Sequence, residues 1–187
     1  RRNVRMMFCR SLVSVVEHCG REAERTLVLV KPDAVERRLV GEVLARFERK
    51  GLAMVGLKLC TATRAMAEAH YEDHRDRDFF ERLCVFLCSG PLIAAALEGR
   101  SAVDAARRVI GSSYEPLDCE PGTIRADFAA HWRRNLVHGS DSNDAAQREL
   151  DIWFPEGLLN PGPPSALAPW LFELPDAPIR FSSDDPR

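Results

Sequence analysis

The chain has 187 residues, of which 45% are hydrophobic and 29% charged, a composition typical of one soluble globular domain with an appended segment. The formal net charge of −2 argues against general binding to nucleic acids or to anionic membranes. Charged residues interrupt every apolar run, so no transmembrane segment is predicted.

Three regions differ in composition. Residues 1–23 form an N-terminal extension that carries arginines and no acid before Glu17, which is typical of either a disordered leader or a targeting sequence. Residues 24–154 contain the regular apolar patterns of a folded domain. Residues 155–187 hold most of the prolines and are predicted to form a proline-rich tail. The expected compartment is the cytoplasm, with the mitochondrion as the alternative if residues 1–23 direct import.

Strand-like and helix-like patterns alternate along residues 24–154. Strands are predicted at 26–30, 52–60, 92–97 and 135–139, and helices at 40–50, 65–71, 78–88, 101–110 and 142–154. Ser101 and Ser142 are the predicted N-caps of the last two helices, and Gly111–Gly122 is a turn-rich loop. This order predicts an α+β, ferredoxin-like βαββαβ sandwich with an antiparallel four-stranded sheet and flanking helices.

A histidine ends the last predicted strand, within the segment N-L-V-H-G-S-D-S of residues 135–142. Gly139 follows His138 and is expected to leave room for a ligand, and the Ser-Asp pair then begins a helix whose N-terminus favours anions. A neutral imidazole in such a place can act as a nucleophile. The segment by itself is equally compatible with an ordinary histidine beside a helix cap.

Three basic residues could supply positive charge for phosphoryl transfer. Lys31 ends the first strand, where Pro32 stops it, while Arg107 lies on a helix and Arg125 in the segment P-G-T-I-R. Each of them, taken alone, is also explained as a solvated surface charge.

His70 and His74 are four residues apart, as in helical zinc sites, but the H-E-x-x-H arrangement is missing and no third ligand is evident. A metal site there is therefore disfavoured. Neither G-x-x-x-x-G-K-[ST] nor G-x-G-x-x-G occurs, so the sequence supports neither P-loop nor protein-kinase nucleotide binding.

Taken together, these segments resemble the nucleoside diphosphate kinases. The resemblance runs nearly without gaps over residues 24–154, and its most specific parts are K-P-D at 31–33, P-G-T-I-R at 121–125 and H-G-S-D-S at 138–142. Further matches occur at 38–42, 47–51, 55–58, 70–71, 79–80, 89–91, 98–99, 134–135 and 153–154. The loop between Gly111 and Pro121 is one residue longer than in many members.

The resemblance implies transfer of the γ-phosphate of a nucleoside triphosphate such as ATP to a nucleoside diphosphate, which maintains NTP and dNTP pools. It implies a ping-pong mechanism through a phosphohistidine at His138. It also implies Mg²⁺ as cofactor, held mainly by nucleotide phosphates with no protein ligand, and a homo-oligomer, either hexamer or tetramer. No specific nucleic acid partner is implied.

The resemblance also implies a role for each matched position. His138 is the nucleophile, and the implied nucleotide-binding residues are Lys31, Phe79, Arg107, Ser113, Arg125 and Asn135. Phe79 is the aromatic side chain that stacks on the base. The implied supporting residues are Tyr71, Ser140 and Glu149, of which Glu149 holds the histidine ring.

Two other functions are compatible with the same residues. One is a catalytically weak family member that serves as an oligomeric scaffold, and the other is a histidine phosphocarrier for proteins. The intact set of Lys31, Arg125, Asn135 and His138 argues against the scaffold, and a nucleotide exchange assay separates all three.

Overall fold

The computed structural model describes residues 24–159, so the predicted N-terminal extension and residues 160–187 of the predicted tail lie outside the described residues. The four strands are β1 (Glu24–Val30), β2 (Ala53–Thr61), β3 (Pro91–Gly99) and β4 (Val137–Gly139). The α-helices are α1 (Pro32–Glu36), α2 (Val40–Arg49), α3 (Arg64–His70), α4 (Phe80–Leu87), α5 (Ala102–Ile110), α6 (Ile124–Phe128) and α7 (Asn143–Trp153).

The strands form one sheet in the order β2-β3-β1-β4, and every neighbouring pair is antiparallel. β1 lies inside the sheet, while β2 and β4 form its two edges. This confirms the predicted α+β, ferredoxin-like class with an antiparallel four-stranded sheet.

Alternate residues of β1 point to opposite faces of the sheet and build two separate cores. Val28 and Val30 pack with side chains of α1, α2, α5 and α6 on what we call the α5 face. Leu27 and Leu29 pack with side chains of α3, α4 and α7 on what we call the α7 face. All four β1 residues are fully buried, so the strand reads as a continuous apolar run.

Two short helices occur where the sequence predicted turns or loops. Pro32 was expected to stop β1 and fix a turn, but it occupies the start of α1, where a missing N–H leaves no hydrogen bond unmade. Thr123 begins α6, and its side chain accepts a hydrogen bond from the Ala126 N–H. Helices of five residues carry too little periodicity to be detected from sequence.

The N-terminus of α5 is not capped by the residue that the sequence predicted. Ser101 precedes the helix, but it has a left-handed φ of 49° and its side chain makes no capping bond. Glu24 accepts a hydrogen bond from the Val103 N–H instead, at 3.1 Å. The cap of α5 is thus supplied by the beginning of β1, which is distant in sequence. By contrast, Ser142 caps α7 as predicted, because its hydroxyl accepts from the Ala145 N–H at 3.1 Å.

The chain after α7 returns to the edge strand β2. Leu159 N–H donates to the Val55 carbonyl at 2.9 Å, and Lys58 pairs with Glu156 at 2.9 Å. Among the helices in residues 24–159, none has the length and apolar character needed to cross a bilayer.

Candidate active site

His138 lies in the middle of β4, directly opposite Leu29 of β1. Residues that face each other across an antiparallel pair share one face of the sheet, so the imidazole projects on the α7 face. The neighbouring Gly139 was expected to leave room for a ligand, but this is wrong. A Cβ at Gly139 would lie 2.6 Å from Ile110 Cδ1, so the glycine allows α5 to pack closely against β4.

The imidazole of His138 is held by a buried carboxylate. His138 Nε2 lies 3.0 Å from Glu149 Oε2, and the Ser140 hydroxyl donates to the same oxygen at 2.7 Å. Ser140 is itself fixed to β1, because its hydroxyl accepts from the Leu27 N–H at 3.2 Å. Glu149, on α7, is therefore anchored to the sheet through one residue and to the imidazole through another.

The ionisation of Glu149 decides which nitrogen of His138 carries the proton. Burial raises the pKa of Glu149, but the hydrogen bond and charge of His138, with smaller contributions from His70 and Ser140, outweigh it and lower that pKa to about 2. A carboxylate can only accept hydrogen bonds, so His138 Nε2 must donate. The other nitrogen, Nδ1, is then left with its lone pair.

Lys31 and Asn135 meet at the end of β1. The Lys31 ammonium donates to Asn135 Oδ1, and both side chains are buried. Burial, together with the charges of Arg125 and Arg134 and against the attraction of Asp33, lowers the pKa of Lys31 to about 8. The lysine thus presents a poorly hydrated positive charge, and its hydrogen-bond acceptor among the described residues is a neutral amide.

A strained turn at Leu136 brings Asn135 into this position. Leu136 has a φ of +69°, and Val137 N–H donates to the Asn135 carbonyl at 2.7 Å, which closes a γ-turn of the rare hand. Such a backbone costs about 1–3 kcal/mol for a residue with a side chain. Asp33 offsets part of this cost by accepting from the Leu136 N–H at 3.1 Å, while Lys31 N–H donates to the Leu136 carbonyl at 2.8 Å.

This turn also corrects the predicted bounds of the last strand. The strand was expected over 135–139, but the ladder begins only at Val137 because the turn at Leu136 removes the two preceding residues from it. The lost pairing frees the Asn135 side chain to contact Lys31.

Arg125 approaches β4 from the α5 face. Its guanidinium donates to the carbonyls of Gly111, Ser113 and Val137 at 3.1, 3.0 and 3.3 Å. Burial lowers the pKa of Arg125, and the positive charge of Arg107 acts in the same direction. The Ser113 hydroxyl, in contrast, accepts from the Glu115 N–H at 3.0 Å.

Phe79 and Tyr71 lie next to helices α4 and α3, which pack on the α7 face of the sheet. Phe79 immediately precedes α4 and is 41% exposed, so its ring is available to a flat ligand. Tyr71 follows α3 and is buried, and burial raises the pKa of its hydroxyl above the ordinary value. His74 lies between them, with ring centroids 5.6 Å from Phe79 and 6.4 Å from Tyr71.

Two residues beside His138 were missed as site residues in the sequence. The His70 ring packs edge-on against the His138 ring, with centroids 4.4 Å apart, and Trp153 Nε1 donates to His70 Nδ1 at 3.3 Å. The spacing of Glu149 and Trp153, four residues apart on one helix, was the available signal, since such residues share a helix face.

The sequence disfavoured a metal site at His70 and His74, and the candidate metal ligands among the described residues do not include this pair. Within residues 24–159, the one trio with the spacing of metal ligands is His70, His138 and Glu149, whose candidate ligand atoms lie within 4.8 Å of one another. Hydrogen bonds from Trp153 to His70 and between His138 and Glu149 already occupy these groups, so the trio needs no ion to explain its arrangement.

Comparison with known proteins gives the family. The sequence model of the nucleoside diphosphate kinase family matches residues 24–158. Nucleoside diphosphate kinases of the cyanobacteria Crocosphaera subtropica and Picosynechococcus are 49% and 51% identical to the chain over 150 residues. Each alignment covers 80% of this chain and 99% of the relative.

Solved structures agree with the sequence comparison. A nucleoside diphosphate kinase family protein from Babesia bovis has a TM-score of 0.75 and 39% identity, covering 80% of this chain and 99% of its own. A halophilic nucleoside diphosphate kinase from Halobacterium salinarum, solved in complex with CDP, has a TM-score of 0.76 and 39% identity. It covers 81% of this chain and 100% of its own. The chain belongs to the nucleoside diphosphate kinase family and is a phosphotransferase of that kind.

Proposed function

We propose that the protein passes the γ-phosphate of a nucleoside triphosphate to a nucleoside diphosphate through a phosphohistidine at His138, and so maintains NTP and dNTP pools. The observation that carries this proposal is the contact of His138 Nε2 with the buried carboxylate of Glu149 at 3.0 Å. It leaves His138 Nδ1 as the nucleophilic atom.

The transfer takes place in two chemical steps. His138 Nδ1 donates its lone pair to the γ-phosphorus, the bond from that phosphorus to the β–γ bridging oxygen breaks, and the nucleoside diphosphate leaves with that electron pair. An oxygen of a second diphosphate then attacks the phosphorus and the N–P bond breaks. The imidazole becomes positive in the first step, and the ionised Glu149 stabilises that charge.

The remaining matched residues would bind the nucleotide. Lys31, Arg107 and Arg125 supply positive charge to the phosphates, with Asn135 and the Ser113 hydroxyl as polar contacts. Phe79 stacks on the base, and stacking tolerates every base because each has a π-face. Tyr71, Ser140 and Glu149 hold these groups in place.

The charges around His138 fit Mg²⁺ that arrives on the nucleotide. Lys31 and Arg125 are cations, and the nearby carboxylates of Asp33 and Glu149 already accept hydrogen bonds. The phosphates would therefore be the principal ligands. When bound, Mg²⁺ neutralises part of the phosphate charge.

The proposal extends to assembly. A homo-oligomer, hexamer or tetramer, is supported by apolar side chains left exposed on edge strand β2, where Leu57 and Leu59 are 52% and 66% exposed, and on the loop at Leu117. Multi-angle light scattering of the full chain measures the number of subunits.

We further propose a catalytic domain at 24–154 between the extension 1–23 and the tail 155–187, and a cytoplasmic location with mitochondrial import through residues 1–23 as the alternative. Removing residues 1–23 is expected to leave exchange kinetics unchanged. A fluorescent fusion of residues 1–23 that stays diffuse in the cytosol would end the import alternative.

Incubation with γ-labelled ATP and Mg²⁺ tests the central proposal. The label should be acid-labile and base-stable, as a phosphoramidate is, and should move to any added nucleoside diphosphate. His138→Ala should abolish labelling, while His131→Ala, at an exposed histidine, should keep it.

Other outcomes identify the alternatives. Label that survives in His138→Ala would contradict the proposal. Label on His138 that passes to proteins but not to nucleoside diphosphates would indicate a phosphocarrier, and a folded oligomer that takes no label would indicate a scaffold.

A further inference from the structure

His70 is a buried histidine that the proposed reaction does not use. It is the last residue of α3 and only 3% exposed. Its ring lies between two others, at centroid distances of 4.4 Å from His138 and 5.8 Å from Trp153, and is nearly perpendicular to both. An imidazole in contact with the nucleophile and closed off from water calls for a physical explanation.

The hydrogen bond from Trp153 fixes the tautomer of His70. An indole N–H can only donate, and Trp153 Nε1 lies 3.3 Å from His70 Nδ1. His70 Nδ1 must therefore accept, and the proton of the neutral ring resides on Nε2. That Nε2 is buried and has no hydrogen-bond partner among the described residues, so the tautomer is set by Trp153 alone.

The protonation of His70 Nδ1 matters because of Glu149. His70 Nδ1 lies 4.0 Å from Glu149 Oε1, while the other carboxylate oxygen accepts from His138 and Ser140. A proton on His70 Nδ1 would create a cation able to pair with Glu149 in a buried setting. That pair would compete with His138 for the same carboxylate.

Helix α7 contacts both His138 and His70. Glu149 and Trp153 are four residues apart on α7 and share a face, so the first meets His138 and the second meets His70. We propose that Trp153 and His70 are positioning residues for phosphoryl transfer, in which the indole N–H keeps His70 Nδ1 unprotonated and thereby reserves Glu149 for His138. This inference rests on the proposed role of His138 as nucleophile.

The charges that face His70 are consistent with this arrangement. Burial holds the pKa of His70 well below its ordinary value, and a positive charge on His138 of β4, present when that ring is protonated, acts in the same direction, as do the charges of Arg148 on α7 and Lys31 after β1. Within residues 24–159, Glu149 is the facing group that favours a proton on His70. The indole N–H occupies the His70 nitrogen that is closest to this carboxylate.

Trp153→Phe tests the proposal because it keeps an aromatic ring and removes only the N–H. Imidazole ¹⁵N spectra of the full chain should show His70 neutral, with its proton on Nε2, from about pH 5.5 to 8. In Trp153→Phe, His70 should titrate within that range. Nucleotide exchange should then fall about tenfold near pH 6 and little near pH 8, since pairing with a carboxylate raises a histidine pKa by about one unit or more.

A double variant separates positioning from packing. Asparagine at position 70 accepts a hydrogen bond but takes no proton, so Trp153→Phe combined with His70→Asn should lose the extra defect at low pH relative to His70→Asn alone. Trp132→Phe, at an exposed tryptophan, is the matched control and should leave the pH profile unchanged. An equal defect at low pH with and without His70 would overturn the proposal.

The spectra keep this test distinct from that of the proposed function. If position-70 variants do not fold, the titration of His70 in Trp153→Phe alone decides, and a ring that stays neutral there overturns the inference. Exchange activity that survives His138→Ala would instead remove the proposed nucleophile. The His70 titration would still be observable in that case.

Discussion

The two faces of the sheet contribute differently to the surroundings of His138. On the α7 face, Glu149 contacts the imidazole directly and Trp153 reaches it through His70. On the α5 face, Arg125 is fixed against β4 by backbone carbonyls and lies near Arg107. In the proposed reaction, one face orients the nucleophile, while the other supplies positive charge for the phosphates. Variants on the α7 face should therefore slow the chemical step, and variants on the α5 face should weaken nucleotide binding.

The largest expected effect comes from Glu149→Gln, on the α7 face. The amide NH₂ would donate to His138 Nε2 and move the ring proton to Nδ1, which would then lack the lone pair it needs. By analogy with the loss of a tautomer-fixing carboxylate in hydrolytic triads, kcat should fall on the order of 10⁴-fold. The Kd for ADP with Mg²⁺, measured by calorimetry, should change little.

Asp151→Asn is the matched control, because this carboxylate is exposed on the same helix and, in the part of the chain that the structure describes, accepts from the Gln147 side chain alone. A higher Kd for ADP in Glu149→Gln would mean that the α7 face also contributes to nucleotide binding.

Arg125→Lys, on the α5 face, should produce the opposite pattern. Lysine lacks the planar fork that contacts several acceptors at once, so the Kd for ADP should rise roughly 10- to 100-fold. Arg108→Lys, at an exposed position of α5, should leave the Kd unchanged. An Arg125→Lys enzyme with normal affinity and a lowered kcat would place Arg125 with the chemical step instead.

Lys31 lies past the end of β1, between the two faces, and is expected to give nucleotide binding a pH dependence. Its folded-state pKa of about 8 means that the side chain is mainly charged below that pH and neutral above it. Affinity for ADP should therefore be full below about pH 8 and fall up to about tenfold per unit above it. Calorimetry across this range measures the effect, and Lys31→Met should bind ADP weakly and equally at every pH. A wild-type affinity that stays constant up to pH 10 would contradict this prediction.

The smallest expected effect is that of Phe79→Ala, which removes the proposed stacking surface. Because the ring is partly exposed without ligand, binding should weaken by about 1 kcal/mol, the lower end for stacking on an aromatic face. The loss should be similar for purine and pyrimidine diphosphates. Val85→Ala, exposed on α4, is the control. A loss limited to one base would mean that Phe79 reads more than a π-face.

The sequence predicted the strands, the long helices and the side chains that flank His138, because these depend on local periodicity and on short motifs. It did not predict the cap of α5 or the role of Gly139, since Glu24 and Ile110 act on them from distant parts of the chain. The contact between His70 and His138 was missed for the same reason.

The γ-turn at Leu136 is a local feature of the backbone, but the sequence N-L-V of residues 135–137 does not predict it. Leucine rarely adopts a positive φ, and a buried leucine before a valine and a histidine predicts a continuous strand. The turn exists because Asp33 and Lys31, which follow the neighbouring strand β1, bind the backbone of Leu136.

The shortness of β4 has a consequence for how the enzyme loses activity under stress. β4 pairs with β1 only along Val28–Val30, whereas β3 pairs along the whole of β1. Local opening should therefore require less free energy at β4 than at the centre of the sheet. Amide hydrogens of residues 137–139 should exchange with solvent before those of β1 and β3. In mild denaturant, catalysis should then disappear while most of the fold persists, since His138, the proposed carrier of the phosphoryl group, lies on the strand expected to open first.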